Sequence, residues 1–281
     1  MKLKIAKLLP IPLILLAISL FGIYQVYSRT GDFFLRDIDL KGGTSITLIF
    51  NKSITTEEIE PILKNQIEKF ILSSSKTAEG YTSITILTEK SIDASTIVNL
   101  LNSNGLYPIE YSVQFVGPEL GSTFFSQVST LLTVAYILLF LITLFIYKRL
   151  TIAFTIVLSS LADIIAVFGL MNIFNQKISF AGFSSILKLI AFAIDTNIIL
   201  ATKILSGKIE EFYDQYKKGL ITGLTINASL IISMLIVLLF SNSPFLINIA
   251  QIQIIGFAAD ILNTWILNAA IIEVVLLGKR H

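Results

Sequence analysis

The chain has 281 residues, of which 54% are hydrophobic and only 14% are charged, and its formal net charge is +2. Soluble domains average about a quarter charged residues, so this composition indicates a chain solvated largely by lipid. The absence of cysteine excludes disulfides, zinc–thiolate sites and thiol nucleophiles, and the single histidine is the terminal His281. A near-neutral chain gives no indication of a nucleic-acid partner.

Six apolar stretches are long enough to cross a bilayer, which takes about 20 apolar residues in a helix. They lie at residues 8–27, 125–147, 151–173, 181–205, 219–240 and 251–277. The first follows Lys2, Lys4 and Lys7 as a signal peptide would, but its apolar run exceeds the usual length of about 7–15 residues. No small-residue cleavage site follows it, so we expect a retained first membrane helix.

Positive charge is unequally divided between the short loops. Lys148 with Arg149, and Lys217 with Lys218, lie on one side of the predicted bundle, whereas loops 172–180 and 241–250 contain only Lys177. The positive-inside rule therefore predicts a multi-pass protein of the cytoplasmic membrane with both termini in the cytoplasm. The predicted division is a first membrane helix at 1–27, an extracytoplasmic domain at 28–122 and a five-helix bundle at 123–281.

The predicted extracytoplasmic domain shows alternating strand and helix patterns. Alternating apolar residues predict strands at 45–50, 84–87 and 107–115, and amphipathic patterns predict helices at 55–72 and 91–104. This order, with room for one strand that the pattern does not locate, predicts a ferredoxin-like α+β domain. The domain carries no metal, nucleotide or nucleophile signature, so we expect neither a cofactor nor an enzyme activity.

Ionisable residues inside the predicted spans are the main functional signal. Asp163, Lys188, Asp195 and Asp260 lie within helices three, four and six, and each costs at least ~2.5–3.5 kcal/mol near the bilayer centre unless it finds a partner. Lys188 and Asp195 share one helix face but lie about 10.5 Å apart along the axis, so Lys188 either pairs elsewhere or reaches outward. Glu273 is expected at the cytoplasmic interface, where its replacement would matter little.

Two polar stripes accompany these charges, and a glycine pair lies near one of them. The stripes are Thr222, Thr225, Ser229 and Ser233 in helix five, and Asp260, Asn263, Thr264 and Asn268 in helix six. Gly219 and Gly223 have the spacing that lets a neighbouring helix approach closely. Each stripe alone is typical of contact between helices, but three carboxylates with both stripes favour a functional polar core.

Five motifs, in this order, resemble archaeal members of the SecD/SecF family along nearly the whole chain. They are Asp37-Ile-Asp-Leu-Lys-Gly-Gly-Thr44 (with Asp39, Gly42 and Gly43), Val116-Gly-Pro-Glu-Leu-Gly121 (with Gly117 and Pro118), Ala162-Asp163, Ile194-Asp195-Thr196-Asn197, and Ala259-Asp260 through Asn263 to Asn268. The resemblance implies a half-size member of the resistance-nodulation-division superfamily. Such a protein pairs with SecD beside the Sec translocon and assists the translocating polypeptide across the lipid bilayer.

The resemblance also implies that intramembrane charges couple proton flow to movements of the external domains. Asp195 and Asp163 match the acids of the family's fourth and third helices, and we expect Asp163 and Asp260 to tune Asp195 from neighbouring helices. Bacterial forms carry an arginine early in helix five, where this sequence has Ile221 and Thr222. Either Lys188 replaces that cation, or proton coupling is weaker or absent.

Three other functions compete with this interpretation. A superfamily exporter of a lipid or small molecule shares the topology, and a larger external domain with a substrate cavity would distinguish it. An intramembrane aspartyl protease pairs Tyr-Asp with Gly-x-Gly-Asp, and neither pattern occurs at Asp163, Asp195 or Asp260. A purely structural subunit would use the acids only to hold helices together.

Overall fold

The computed structural model describes residues 4–37, 40, 43–64, 67, 70–76, 80–88, 92–116, 118–241 and 243–278. The chain divides into two compact units. The first, the membrane unit, comprises Met1–Leu35, Ser129–Leu239 and Asn248–His281, and the second comprises Arg36–Val128 and Phe240–Ile247.

In chain order the elements are α1 (Pro10–Thr30), β1 (Gly43–Phe50), α2 (Thr56–Lys64), β2 (Phe70–Lys76), β3 (Thr82–Thr88), α3 (Ala94–Ser103), β4 (Glu110–Val116), α4 (Pro118–Tyr147), α5 (Leu150–Ile173), α6 (Phe180–Ser206), α7 (Phe212–Phe240), α8 (Pro244–Leu262), a π-helix (Asn263–Asn268) and α9 (Ala269–Leu277). Short 3₁₀ helices, Ala6–Leu8 and Ile209–Glu211, precede α1 and α7. Six helices within the described residues are long and apolar enough to cross a membrane, which confirms the predicted number. The sixth consists of α8, the π-helix and α9.

The second unit contains a four-stranded antiparallel sheet of order β2-β3-β1-β4, with α2 and α3 in the connections. This topology confirms the ferredoxin-like prediction. Ile46, Leu48 and Phe50 of β1 point to the buried face and pack with Ile59 of α2 and Ile97 of α3. The apolar alternation along β1 is therefore what places the two helices on one face of the sheet.

The structure corrects the helix predicted at 55–72, because α2 ends at Lys64 and Phe70 begins β2. The sequence conceals this strand because three consecutive serines, Ser73 to Ser75, interrupt any apolar alternation. β2 lies at an edge of the sheet, where pairing with β3 alone holds it. It is the strand that the sequence pattern leaves unplaced.

Helix α3 begins at Ala94, later than predicted, because Asp93 caps it. The Asp93 carboxylate accepts hydrogen bonds from the Ser95 amide at 3.1 Å and the Ser95 hydroxyl at 2.8 Å. The Ser95 hydroxyl and amide lower the pKa of Asp93, so the cap is ionised at neutral pH. At the other end, Gly105 has the left-handed conformation (φ 80°) that commonly follows a helix and favours glycine.

Strand β4 exposes an apolar row at the other edge of the sheet. Tyr111, Val113 and Phe115 lie opposite Leu48, Ile46 and Thr44 of β1, on the same sheet face. The three β4 side chains are nevertheless 51%, 43% and 62% exposed. The two helices therefore cover β1 but not β4.

The two glycines of α7 accommodate an aromatic ring of the same chain. A Cβ atom at Gly223 would lie 2.0 Å from Cζ2 of Trp265, and one at Gly219 would lie 3.3 Å from Cζ3 of that ring. Trp265, in the π-helix, is 1% exposed. The close approach of a neighbouring helix predicted for this glycine pair is therefore corrected, because the indole of Trp265 occupies the space.

We predict that Gly223→Ala will destabilise the membrane unit, because overpacking a well-filled contact costs about 1–3 kcal/mol. Thermal unfolding of the detergent-purified chain measures this loss as a lower midpoint. Gly278→Ala, where the nearest atom would be 3.8 Å away, is the control and should leave the midpoint unchanged. Equal midpoints for both variants would show that the indole does not require Gly223.

Candidate functional site

Asp260 is the centre of a polar network inside the membrane unit. Its carboxylate accepts hydrogen bonds from the Thr196 hydroxyl at 2.9 Å, the Thr264 hydroxyl at 2.7 Å and the Asn227 amide at 2.7 Å. These donors come from α6, the π-helix and α7, and Asp260 itself lies two residues before the end of α8. One carboxylate, 1% exposed, thus joins four elements.

Asp163 lies beside this network but receives fewer hydrogen bonds. Its Oδ1 accepts from the Asn263 amide at 2.8 Å, whereas its Oδ2 has no hydrogen-bond partner among the described residues. Ser159, one turn earlier on α5, is also buried, and its hydroxyl oxygen likewise finds no partner there. The two buried acids therefore differ: Asp260 is saturated with donors and Asp163 is not.

The π-helix places three of these polar side chains. Its wider turn directs Asn263 to Asp163, Thr264 to Asp260, and the Asn268 amide to the side-chain Oδ1 of Asn197. π-Helical turns within α-helices frequently occur at functional sites. The hydroxyl of Tyr216 donates to the Trp265 carbonyl oxygen at 2.8 Å, which adds a link between α7 and this segment.

Asp195 and Lys188 do not join the buried acids. Their side chains lie on the exposed side of α6, together with Ala191, whereas Thr196 and Asn197 point inward. The Asp195 carboxylate forms no hydrogen bond or ion pair with any residue that the structure describes, and the Lys188 ammonium lies 5.6 Å from the centre of the Phe192 ring. Of the three acids expected to share a core, the structure brings together Asp163 and Asp260.

The hydroxyl stripe of α7 also points away from this core. Thr222, Thr225, Ser229 and Ser233 are exposed, and each donates to the carbonyl oxygen four residues earlier. The prediction that this stripe lines the interior is corrected, because Gly219, Gly223 and Asn227 form the buried side of α7. A hydroxyl bonded to its own helix can face lipid or another helix without an unsatisfied donor.

Glu273 is a buried structural anchor at the end of the bundle where Lys4 and Ala6 lie, which corrects the expectation that its replacement would matter little. Its two carboxylate oxygens accept hydrogen bonds from the Lys4 and Ala6 backbone amides, each at 2.8 Å, and the Tyr213 hydroxyl donates to it at 2.5 Å. The side chain is 0% exposed. Sequence reasoning missed this role because the three donors lie at least 60 positions away in the chain.

The other motif residues have mostly structural positions in the described chain. Gly43 and Thr44 begin β1, where the Thr44 hydroxyl accepts from the Ile92 amide at 3.4 Å, and Pro118 is the first residue of α4. Asp39, Gly42 and Gly117 lie outside the described residues. Two site residues were not predicted from the sequence: Thr196, which appears there only within a motif, and Asn227, although Asn227 continues the four-residue spacing of Gly219 and Gly223.

Two separate polar features of the membrane unit can take part in chemistry: the buried Asp260 network and the exposed pair Lys188 and Asp195. The buried network can hold negative charge, since hydroxyl and amide donors surround Asp260, and it links α6, α7 and α8. No group of three or more histidine, cysteine or acidic residues that could hold a metal occurs among the described residues. The exposed pair on α6 instead presents one acid and one base within an apolar span.

These features define an α-helical membrane protein with six spans, a ferredoxin-like domain and a carboxylate-centred polar core. The model of the protein export membrane protein SecD/SecF C-terminal family matches residues 82–278, more than half of the chain. The chain therefore belongs to the SecD/SecF family.

Curated relatives match the chain over nearly its full length. The protein-export membrane protein SecF of Methanocaldococcus jannaschii is 28% identical, with 96% of this chain and 94% of the relative covered. SecF of Pyrococcus furiosus is 27% identical, with 98% and 92% covered.

Two solved structures share the fold. SecDF of Thermus thermophilus, described as a translocon-associated membrane protein, superposes with a TM-score of 0.72 at 16% identity and covers 98% of this chain. SecDF in a super-membrane-facing form gives a TM-score of 0.62 at 17% identity and covers 96% of it. The chain spans 38% of the length of each SecDF chain.

We predict that Glu273→Gln will destabilise the protein, because one carboxylate oxygen becomes an amide donor that faces a backbone N–H. Leaving such a buried donor unsatisfied costs about 1–3 kcal/mol. The midpoint of thermal unfolding in detergent should fall. Glu211→Gln, the same change at an exposed residue, should not lower it. An unchanged midpoint for Glu273→Gln would contradict the anchoring role.

Proposed function

We propose that this chain is an accessory subunit of the Sec protein-export machinery, which acts with a SecD partner to assist polypeptides across the cytoplasmic membrane. Membership of the SecD/SecF family supports this proposal, as do the export names of the curated relatives. The SecDF structures add support, because the region that resembles this chain occupies 38% of a longer chain whose name combines SecD with SecF. Both termini are proposed to lie in the cytoplasm, from the distribution of Lys and Arg.

The observation that carries the proposal is the exposed Asp195 in the middle of an apolar span. It lies 15 residues after the start of α6 and 11 before its end, so about 22 Å and 16 Å separate it from the two ends. A carboxylate facing lipid at this depth costs at least ~2.5–3.5 kcal/mol. The described part of the chain offers its side chain no donor, which supports a partner subunit that covers this side of α6.

Lys188 supports the same conclusion from the same face. It lies seven residues before Asp195, which places both side chains on one side of α6, and its ammonium contacts only the face of Phe192 among the described residues. An acid and a base two turns apart can each pair with an opposite charge on a neighbouring helix. A partner with complementary charges at these two depths would satisfy both.

The external domain offers a second surface for such a partner. Strand β4 has no neighbour on its outer side in the described sheet, and Tyr111, Val113 and Phe115 line its exposed face. A free edge with an apolar row is suited to pair with a strand of another domain. We propose that the SecD partner covers this edge.

We further propose that Asp195 is the group that binds and releases protons. Its neighbour Thr196 donates to Asp260, so a shift of α6 caused by a charge change at Asp195 alters this hydrogen bond. Asn227 and Thr264 donate to the same carboxylate. Asp260, with Asp163 beside it, would thereby transmit the shift to α7 and α8. Lys188 is the proposed counter-charge, since Ile221 and Thr222 occupy the positions where bacterial relatives have arginine.

The test is export into vesicles that contain the complex of this chain and its SecD partner, with and without a proton gradient. Asp195→Asn keeps the size and hydrogen bonding of the side chain but removes its titration. We predict that the gradient-dependent stimulation falls to about a tenth or less, because loss of a proton-transfer group costs at least about that factor. Lys188→Gln should also reduce it.

Asp214→Asn is the matched control, since Asp214 is an exposed acid at the start of α7. Co-purification of SecD with each variant shows that the complex is intact. Wild-type stimulation by Asp195→Asn in an intact complex would overturn proton transfer at this residue. Failure of SecD to co-purify with the wild-type chain would overturn the partnership itself.

A further inference from the structure

A groove opens at one end of the membrane unit, away from the acid core. Its volume is about 530 Å³, and its walls are Arg149, Leu150, Thr151, Ile152, Ile209, Val275 and Leu276. These residues come from the first turn of α5, the 3₁₀ helix before α7 and the last turn of α9. The groove therefore lies where membrane helices meet the aqueous boundary.

The walls combine apolar side chains with one cation. Five of the seven wall residues are aliphatic, and Leu150 and Ile209 are 65% and 39% exposed. Arg149 is the only charged wall residue, and its guanidinium makes no hydrogen bond or ion pair with any residue that the structure describes. An exposed aliphatic wall beside an unpaired guanidinium suits an amphiphile that has an acyl chain and an anionic head.

The chain holds Arg149 at this boundary through a tight link between two membrane helices. Lys148 has a left-handed backbone (φ 52°), and Arg149 is extended (φ −135°, ψ 109°), so two residues reverse the chain between α4 and α5. The reversal presents two adjacent cations at the end of the bundle. Basic residues at this position attract anionic lipids, and the planar fork of arginine fits phosphate oxygens in pairs.

We propose that this groove binds an anionic phospholipid, with Arg149 on the phosphate and the aliphatic wall against the first part of an acyl chain. The positive charge favours an anionic over a zwitterionic head group. The apolar wall favours a lipid over free phosphate. This site is independent of the proposed export role, because it requires only that the chain lies in a membrane.

The test is native mass spectrometry of the full chain in detergent, with phosphatidylglycerol or phosphatidylcholine of identical acyl chains added, or inorganic phosphate. We expect the wild-type chain to retain phosphatidylglycerol about fivefold more than phosphatidylcholine, the factor that one basic residue near an anionic surface contributes. Arg149→Gln should abolish that preference, and Arg149→Lys should retain part of it. Ile209→Gln should weaken retention of both lipids, and inorganic phosphate should not bind.

Arg29→Gln is the matched control, since Arg29 is also exposed but lies in the last turn of α1, outside the groove. It should retain the wild-type preference. The proposal is overturned if the wild-type chain retains both lipids equally, or if Arg149→Gln keeps the preference. Because the Arg149 side chain is exposed and unpaired within the described chain, Arg149→Gln should unfold at the wild-type temperature. If Arg149→Gln is less stable than the wild type, the lipid preference is tested with Arg149→Lys instead.

Discussion

A polar group within the hydrocarbon core has no water to solvate it, and this constraint orders most of the membrane unit. The hydrogen bonds that Asp260 accepts from Thr196, Asn227 and Thr264 are its main consequence. Each donor lies on a different element, so the carboxylate can be satisfied only if α6, α7 and the π-helix adopt these positions together. The π-helix contributes by turning Asn263 and Thr264 toward two different acids.

The same need for polar partners within the hydrocarbon core applies to the exposed side of α6, which carries Asp195 and Lys188. Asp195 and Lys188 carry charges that this chain does not satisfy within its described residues, whereas the exposed hydroxyls of α7 bond to carbonyl oxygens of their own helix. The exposed Asp195 therefore indicates where a partner binds, because the described chain gives its carboxylate no hydrogen-bond donor. Thr196, the residue after Asp195, donates a hydrogen bond to Asp260. A movement of α6 at its exposed side is therefore transmitted to the buried Asp260 network.

The sequence predicts those parts of the fold that depend on local patterns. Apolar length locates the six spans, and alternation locates β1, since both signals arise within a few turns of chain. Strand β2 is not predicted, because three serines interrupt its apolar alternation and because pairing with β3, which is not a local signal, forms the strand.

The candidate site is predicted only as a set of residue types. Which side of a helix faces the core depends on where large and small side chains fit, and in α7 the insertion of Trp265 at Gly223 decides it. That contact turns Asn227 inward and the hydroxyl stripe outward. Local patterns also fail to predict the hydrogen bonds from the Lys4 and Ala6 amides to Glu273, because these bonds join opposite ends of the chain.

The central claim is that a partner subunit covers the side of α6 that carries Lys188 and Asp195. The chain has no cysteine, so single cysteines can be introduced without background. Ala191→Cys lies between these two residues on the exposed side, and Phe154→Cys lies on an exposed apolar side of α5. With a thiol-attached photo-crosslinker in membranes that contain SecD, we predict a SecD adduct from Ala191→Cys and none from Phe154→Cys; lipid adducts alone at both positions would contradict a SecD subunit on this side of α6.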